Sequence, residues 1–173
     1  MEVTPTVLVT RFAQLAPGDL CMCNQSGTSF IAVKAVDPAK DGDKYIVALG
    51  PSFPPSTHGP HLIVEPSQTV ISFGKNYVLQ LPTSADCWLL DQPARDVPCI
   101  LVTEDVTYFR ANSARRSGQF SPCFVRTDNG QIQYGGISQI AAYAIRWEIL
   151  VKDTTLPRRV ILQHGFPTPT STA

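Results

Sequence analysis

Residues 17–50 constrain the fold more than any other part of the chain, because they spell three strands with the turns between them. Leu20, Cys21, Met22 and Cys23 run into Ser26-Gly27, a second apolar run from Phe30 to Val36 follows, and after the polar break 37–43 comes a third, Tyr45 to Gly50. Short runs rich in β-branched and aromatic residues, bounded by Gly, Asp, Asn and Ser, read as strands. This predicts a three-strand meander, and the rest of the chain reads as the same unit repeated with variation.

In order, Val7-Leu8-Val9 is a short leading strand or arm closed by Pro17-Gly18, and residues 51–66 hold five prolines and Gly59. That density forbids helix and makes a central strand unfavourable, leaving only 62–64 able to pair. Next, 70–73 and 77–81 flank Gly74-Lys75-Asn76 as a hairpin, and 87–90 is another apolar run. Residues 99–103 and 106–110 read as strands and 111–118 as a loop. Segments 120–126 and 131–134 flank Asp128-Asn129-Gly130, and Asn-Gly between such segments is the strongest short hairpin signal. Ile145, Trp147, Ile149 and Val151 alternate with polar residues, which places them on one buried face. A last strand falls at 160–163, and no amphipathic helix is present, so the chain is expected to be all-β.

At 173 residues the chain fits one domain, with an arm at 1–14, a β-barrel at 15–166 and a disordered tail at 167–173. Its 43% hydrophobic residues can bury a core. Fourteen basic residues balance fourteen acidic ones, which removes the bulk attraction that non-specific nucleic-acid binding uses. No export signal or membrane-length apolar run occurs, so a soluble, cytoplasmic protein with no membrane partner is expected.

Three runs close a hairpin-like unit on an aromatic residue: Tyr45-Ile46-Val47, Trp88-Leu89-Leu90 and Trp147-Glu148-Ile149. Such a threefold pattern over 15–163 resembles the β-trefoil proteins of the fascin-like or lectin-like type, which implies a single antiparallel barrel. The Gln-x-Trp signature of ricin-type lectins is absent, since Asp86-Cys87 precedes Trp88 and Ile145-Arg146 precedes Trp147. The alternatives are two small β-barrels or a β-sandwich.

Chemistry-bearing motifs are sparse. His58 and His61, with Glu65 nearby, are the candidates for a metal, because imidazoles and a carboxylate can begin a zinc site; a surface loop is the competing reading. Arg115-Arg116 is a dense positive spot in the second long loop. Asp37, Asp41 and Asp43 read as side chains supporting a turn. The five cysteines, Cys21, Cys23, Cys87, Cys99 and Cys123, read as small apolar core residues; Cys21 and Cys23 share a strand face but lie too far apart for easy bridging. No nucleophile elbow, phosphate-binding glycine loop or cofactor motif occurs, so no cofactor is expected. The composite expectation is a non-enzymatic binding or interaction module presenting His58, His61, Arg115 and Arg116 on loops to a protein or glycan. Alternatives are a metal-dependent or Cys/His hydrolase, or a structural subunit of a larger assembly.

Overall fold

The computed structural model describes residues 8–25, 27–39, 44–50, 60–62, 65–93, 99–114, 120–137, 139–151 and 159–165. The chain is all-β there. Its strands are β1 (Leu8–Arg11), β2 (Leu20–Gln25), β3 (Thr28–Val36), β4 (Lys44–Gly50), β5 (Pro60–Leu62), β6 (Thr69–Gly74), β7 (Tyr77–Gln80), β8 (Trp88–Leu89), β9 (Ile100–Thr103), β10 (Thr107–Ala114), β11 (Phe120–Arg126), β12 (Ile132–Tyr134), β13 (Ile140–Ala144), β14 (Trp147–Val151) and β15 (Arg159–His164). Helix among the described residues is confined to two 3-10 turns, Phe12–Gln14 and Ala85–Cys87.

The strands form three antiparallel sheets, none of which closes on itself among the described residues. Their orders are β1-β6-β2-β3-β4-β5, β12-β11-β10-β9-β13-β8 and β15-β14-β7. Read from the opposite edge, the second sheet is β8-β13-β9-β10-β11-β12. This is the order of the first, strand for strand. The chain therefore contains one unit twice, β1–β7 and β8–β14, and the last strands of the two units pair antiparallel, Leu79 opposite Ile149. Register carries the match to single residues. Leu20 pairs Val33 and Val33 pairs Val47, as Ile100 pairs Phe109 and Phe109 pairs Val125.

All six of those residues lie in the main core with Trp147 and Ile149, so both large sheets turn one face into a shared interior. Each also buries part of its outer face. Phe12 and Leu15 cover Cys21, Cys23, Phe30, Ala32, Ile46, Ala48 and Val70 on the first sheet. On the second, Val106, Ile137, Ile140 and Ile145 pack against Cys99, Leu101, Tyr108, Phe124 and Tyr143. Burial on both faces is why β3 is apolar almost continuously from Phe30 to Ala35 instead of alternating.

The meander at 17–50 forms as β2-β3-β4, and β11 and β12 form the expected hairpin. Its Asn-Gly sits in a longer turn, closed by Arg126 N–H donating to Gln131 O (3.0 Å), with Gly130 at φ +70°. Gly130 is also where the units touch. A Cβ there would lie 2.4 Å from both Gly18 N and Lys34 O, and Val36 N–H donates to Gly130 O at 3.0 Å.

Several local expectations are corrected. The segments around Gly74 are not a hairpin: β6 pairs with β1 and β2, and β7 pairs with β14. Gly74, at φ +56°, redirects the chain from one sheet to another, an outcome that local composition does not distinguish from a return. Residues 111–114, read as loop, continue β10 and pair with β11 through Ser113 and Ser121, because a backbone ladder does not require apolar side chains. Among the described residues of the proline-rich segment the pairing ones are Pro60–Leu62, an edge strand where a proline's missing N–H is tolerated, while Ile63 and Val64 lie outside the described residues. Ile145 lies in the bend before β14 and packs on the outer cluster, apart from Trp147, Ile149 and Val151. Tyr45, Trp88 and Trp147 occupy three different places, since β4 matches β11, β8 matches β1 and β14 matches β7.

Candidate functional site

The two units differ most clearly at one matched pair on their outer faces. Ala32 pairs with Ala48 on the outer face of the first sheet, and the matching pair on the second sheet is Tyr108 with Arg126. The two alanines leave room for Phe12 and Leu15, which seal that face. The buried Tyr108 and the partly exposed Arg126 instead line an open groove of about 380 Å³.

The groove is built on the β9–β10 turn. Thr103 closes it: its Oγ1 accepts from Val106 N–H (3.1 Å) and donates to Val106 O (2.9 Å), and its own N–H donates to Val106 O (3.1 Å). Glu104 and Asp105 are thereby held exposed as a ridge. On one side lie Tyr108, Arg126, Gln133, Ile137 and Gln139. On the other a shallower depression of about 270 Å³ runs along Thr107, Thr127 and Asp128. Thr107 and Thr127 share a hydroxyl–hydroxyl hydrogen bond of 2.6 Å, which ties the two strands beneath it.

Arg126 is aimed by Asp128 through a fork, Nε to Oδ1 at 3.0 Å and Nη2 to Oδ2 at 2.7 Å. The hydrogen bonds from Arg126 hold the Asp128 carboxyl below the usual carboxylate range, and Asp128 raises the guanidinium in turn. Two of five N–H donors are used in the fork, and Arg126 also lines the groove. Gln139 stands at the rim with φ 63°, a left-handed conformation uncommon for a residue other than glycine. The lining thus combines carboxylates, amides and a fixed guanidinium over Val106, Ile137 and the edge of Tyr108, an arrangement for hydrogen bonding a polar ligand.

The residues singled out from the sequence are only partly among the described ones. His58, Arg115 and Arg116 lie outside the described residues. His61 is on β5 opposite Ile46, and Glu65 is exposed, its carbonyl accepting from Gln68 N–H at 3.0 Å. Among the described residues no group of three or more His, Cys, Asp or Glu is placed to hold a metal. Asp37 is buried and its Oδ1 accepts from Ala39 N–H at 2.9 Å, which is the turn-supporting role expected of it; Asp41 and Asp43 lie outside the described residues. Glu104, Asp105, Arg126, Gln133 and Gln139 were not legible as a set, because only the strand pairing gathers them. Thr103-Glu104-Asp105-Val106, a polar pair between two strands, is the one local trace.

The described fold defines an all-β chain built from two copies of one unit around a common core. No family model matches the chain, and neither the curated proteins nor the solved structures provide a match. No helix among the described residues is long and apolar enough to cross a membrane.

Proposed function

We propose that the chain is a non-enzymatic binding module whose second unit carries the recognition groove, and that the ligand is hydroxyl-rich, such as a short glycan. The observation that supports this reading is the contrast between Ala32–Ala48, sealed by the chain's own Phe12 and Leu15, and Tyr108–Arg126, which line open space. Carboxylates, amides and a guanidinium around an apolar floor suit vicinal hydroxyls, which need donors and acceptors at close spacing. Two small β-units joined through β7 and β14 are the finer architecture that goes with this reading. A single trefoil barrel would call for three matching units, whereas the sheet orders repeat twice.

The test is a glycan array followed by calorimetry on the hits, using wild type, Arg126→Ala and Gln133→Ala. Retained folding with binding weakened about tenfold or more in Arg126→Ala, the loss of a hydrogen bond to a charged group, and about threefold to tenfold in Gln133→Ala, the loss of a neutral one, supports the assignment. A wild-type protein that retains no glycan, or variants that bind as well as wild type, overturns it.

A further inference from the structure

We propose that Cys21 and Cys23 form a two-thiolate site for a soft monovalent cation, Cu(I), beneath the Phe12–Gln14 turn. Both cysteines are on β2 and face the outer side of the first sheet, with their sulfurs 3.6 Å apart. The pair stands alone as a cluster. Cys99 belongs to the other outer face and Cys123 to the main core, and no third His, Cys, Asp or Glu groups with them among the described residues. Two thiolates cannot complete the four-coordinate shell that zinc requires, but thiolate softness selects Cu(I), which is satisfied by fewer ligands.

Two thiolates and one Cu(I) carry a net charge of −1, which an apolar cluster would reject without a counter-charge. Lys34 supplies one. It lies on the same face, two residues along β3 from Ala32, the cross-strand partner of Cys21. Its Nζ is buried, donating to the carbonyls of Phe12 (3.2 Å), Ala13 (3.4 Å) and Leu15. Binding breaks two S–H bonds, releases both protons to solvent and forms two S–Cu bonds, with copper remaining Cu(I) throughout. At metal–sulfur lengths of about 2.3 Å a near-linear pair needs the sulfurs opened by roughly 1 Å, within reach of side-chain rotation. A disulfide is less suited, because residues two apart on a strand are separated by roughly 6.6 Å at Cα, near the upper limit for bridging.

The test is anaerobic titration of the reduced full-length protein with Cu(I) against the chromogenic chelator bicinchoninate. One copper per chain is expected in wild type and in Cys99→Ala, with affinity falling about a hundredfold or more in Cys21→Ala and in Cys23→Ala. X-ray absorption on the wild-type complex removes any dependence on how the variants fold: copper with two sulfur neighbours supports the site, and nitrogen or oxygen ligation overturns it. No copper held against the chelator, copper retained undiminished in Cys21→Ala, or a Cys21–Cys23 disulfide formed in place of copper retention would each overturn it as well.

Discussion

Lys34 on β3 and Arg110 on β10 occupy the same place in the two units and make the same contact. Lys34 Nζ donates to Phe12 O at 3.2 Å, and Arg110 Nη1 donates to Pro93 O at 3.0 Å. Phe12 and Pro93 lie equally far beyond Leu8 and Leu89, which match by register against Ser72 and Tyr143. The backbone agrees, with Lys34 N–H donating to Asp19 O at 2.9 Å and Arg110 N–H to Cys99 O at 3.0 Å. A buried base thus fastens the segment that follows each unit's first strand across the outer face of its sheet. Both cations are buried, at 2% and 6% exposure, so the contact is set in the interior where a lost partner is costly.

Lys34→Met is therefore expected to destabilise the protein by about 2–4 kcal/mol, because the carbonyls of Phe12, Ala13 and Leu15 lose a charged donor without gaining water. Urea unfolding reads the loss. Hydrogen exchange locates it: the Phe12 amide, which donates to Gln68 O at 2.8 Å, should lose protection before the amides of β3. Unchanged protection at Phe12 would show that the lysine does not fasten the turn.

Gly130 and Gly27 separate steric crowding from backbone strain. Both have positive φ, +70° and +82°, but a Cβ at Gly27 meets nothing within 4 Å while one at Gly130 meets Gly18 N and Lys34 O at 2.4 Å. Gly27→Ala should cost about 1 kcal/mol, the left-handed penalty alone. Gly130→Ala should cost at least about 3 kcal/mol or prevent folding, since the clash is with backbone of the other unit. Comparable midpoints for the two variants in urea would refute the close approach of the units.

Trp147 is 2% exposed and meets Phe109 edge to face, with ring centroids 6.1 Å apart, so it links β14 to the second sheet. Trp147→Ala should cost about 3–5 kcal/mol as the transfer and cavity terms add. The half-buried Trp88, whose Nε1 donates to Pro82 O at 2.8 Å, then becomes the sole tryptophan and reports a red-shifted emission.

Tyr77 couples the units to pH. Its hydroxyl reaches Gly18 O (3.3 Å) in one unit and Thr127 O (3.0 Å) in the other. Burial, then the charges of Asp19 and Asp128, push the phenol up to about 12 from 10. The raised value favours the neutral form in the folded state, so the unfolded chain loses its proton first. Stability from this group is complete below about pH 10 and falls as pH rises to about 12. Burial likewise raises Cys123 from 9 to about 12, adding a loss of the same sign from pH 9 upward. Tyr77→Phe should be less stable at pH 8 yet show a shallower decline between pH 10 and 12; an unchanged slope would remove Tyr77 from the alkaline transition.

The sequence by itself determined the class and most of the strands. Alternation, β-branched runs and the punctuation of Pro17-Gly18, Gly27 and Asn129-Gly130 are local signals, and they located β2, β3, β4, β11 and β14 because turn chemistry acts within a few residues. Only the tertiary structure decided the partners. Gly74 looks like a hairpin turn until β6 and β7 are seen in different sheets. The twofold order is hidden because the matched pairs have diverged, Ala32–Ala48 against Tyr108–Arg126. Long-range backbone hydrogen bonds choose partners by register and burial, and neither leaves a mark on neighbouring residues. The groove shares that origin: Glu104, Arg126, Gln133 and Gln139 are ordinary surface residues in the chain, and they line one groove because β9 to β13 are laid side by side in one sheet.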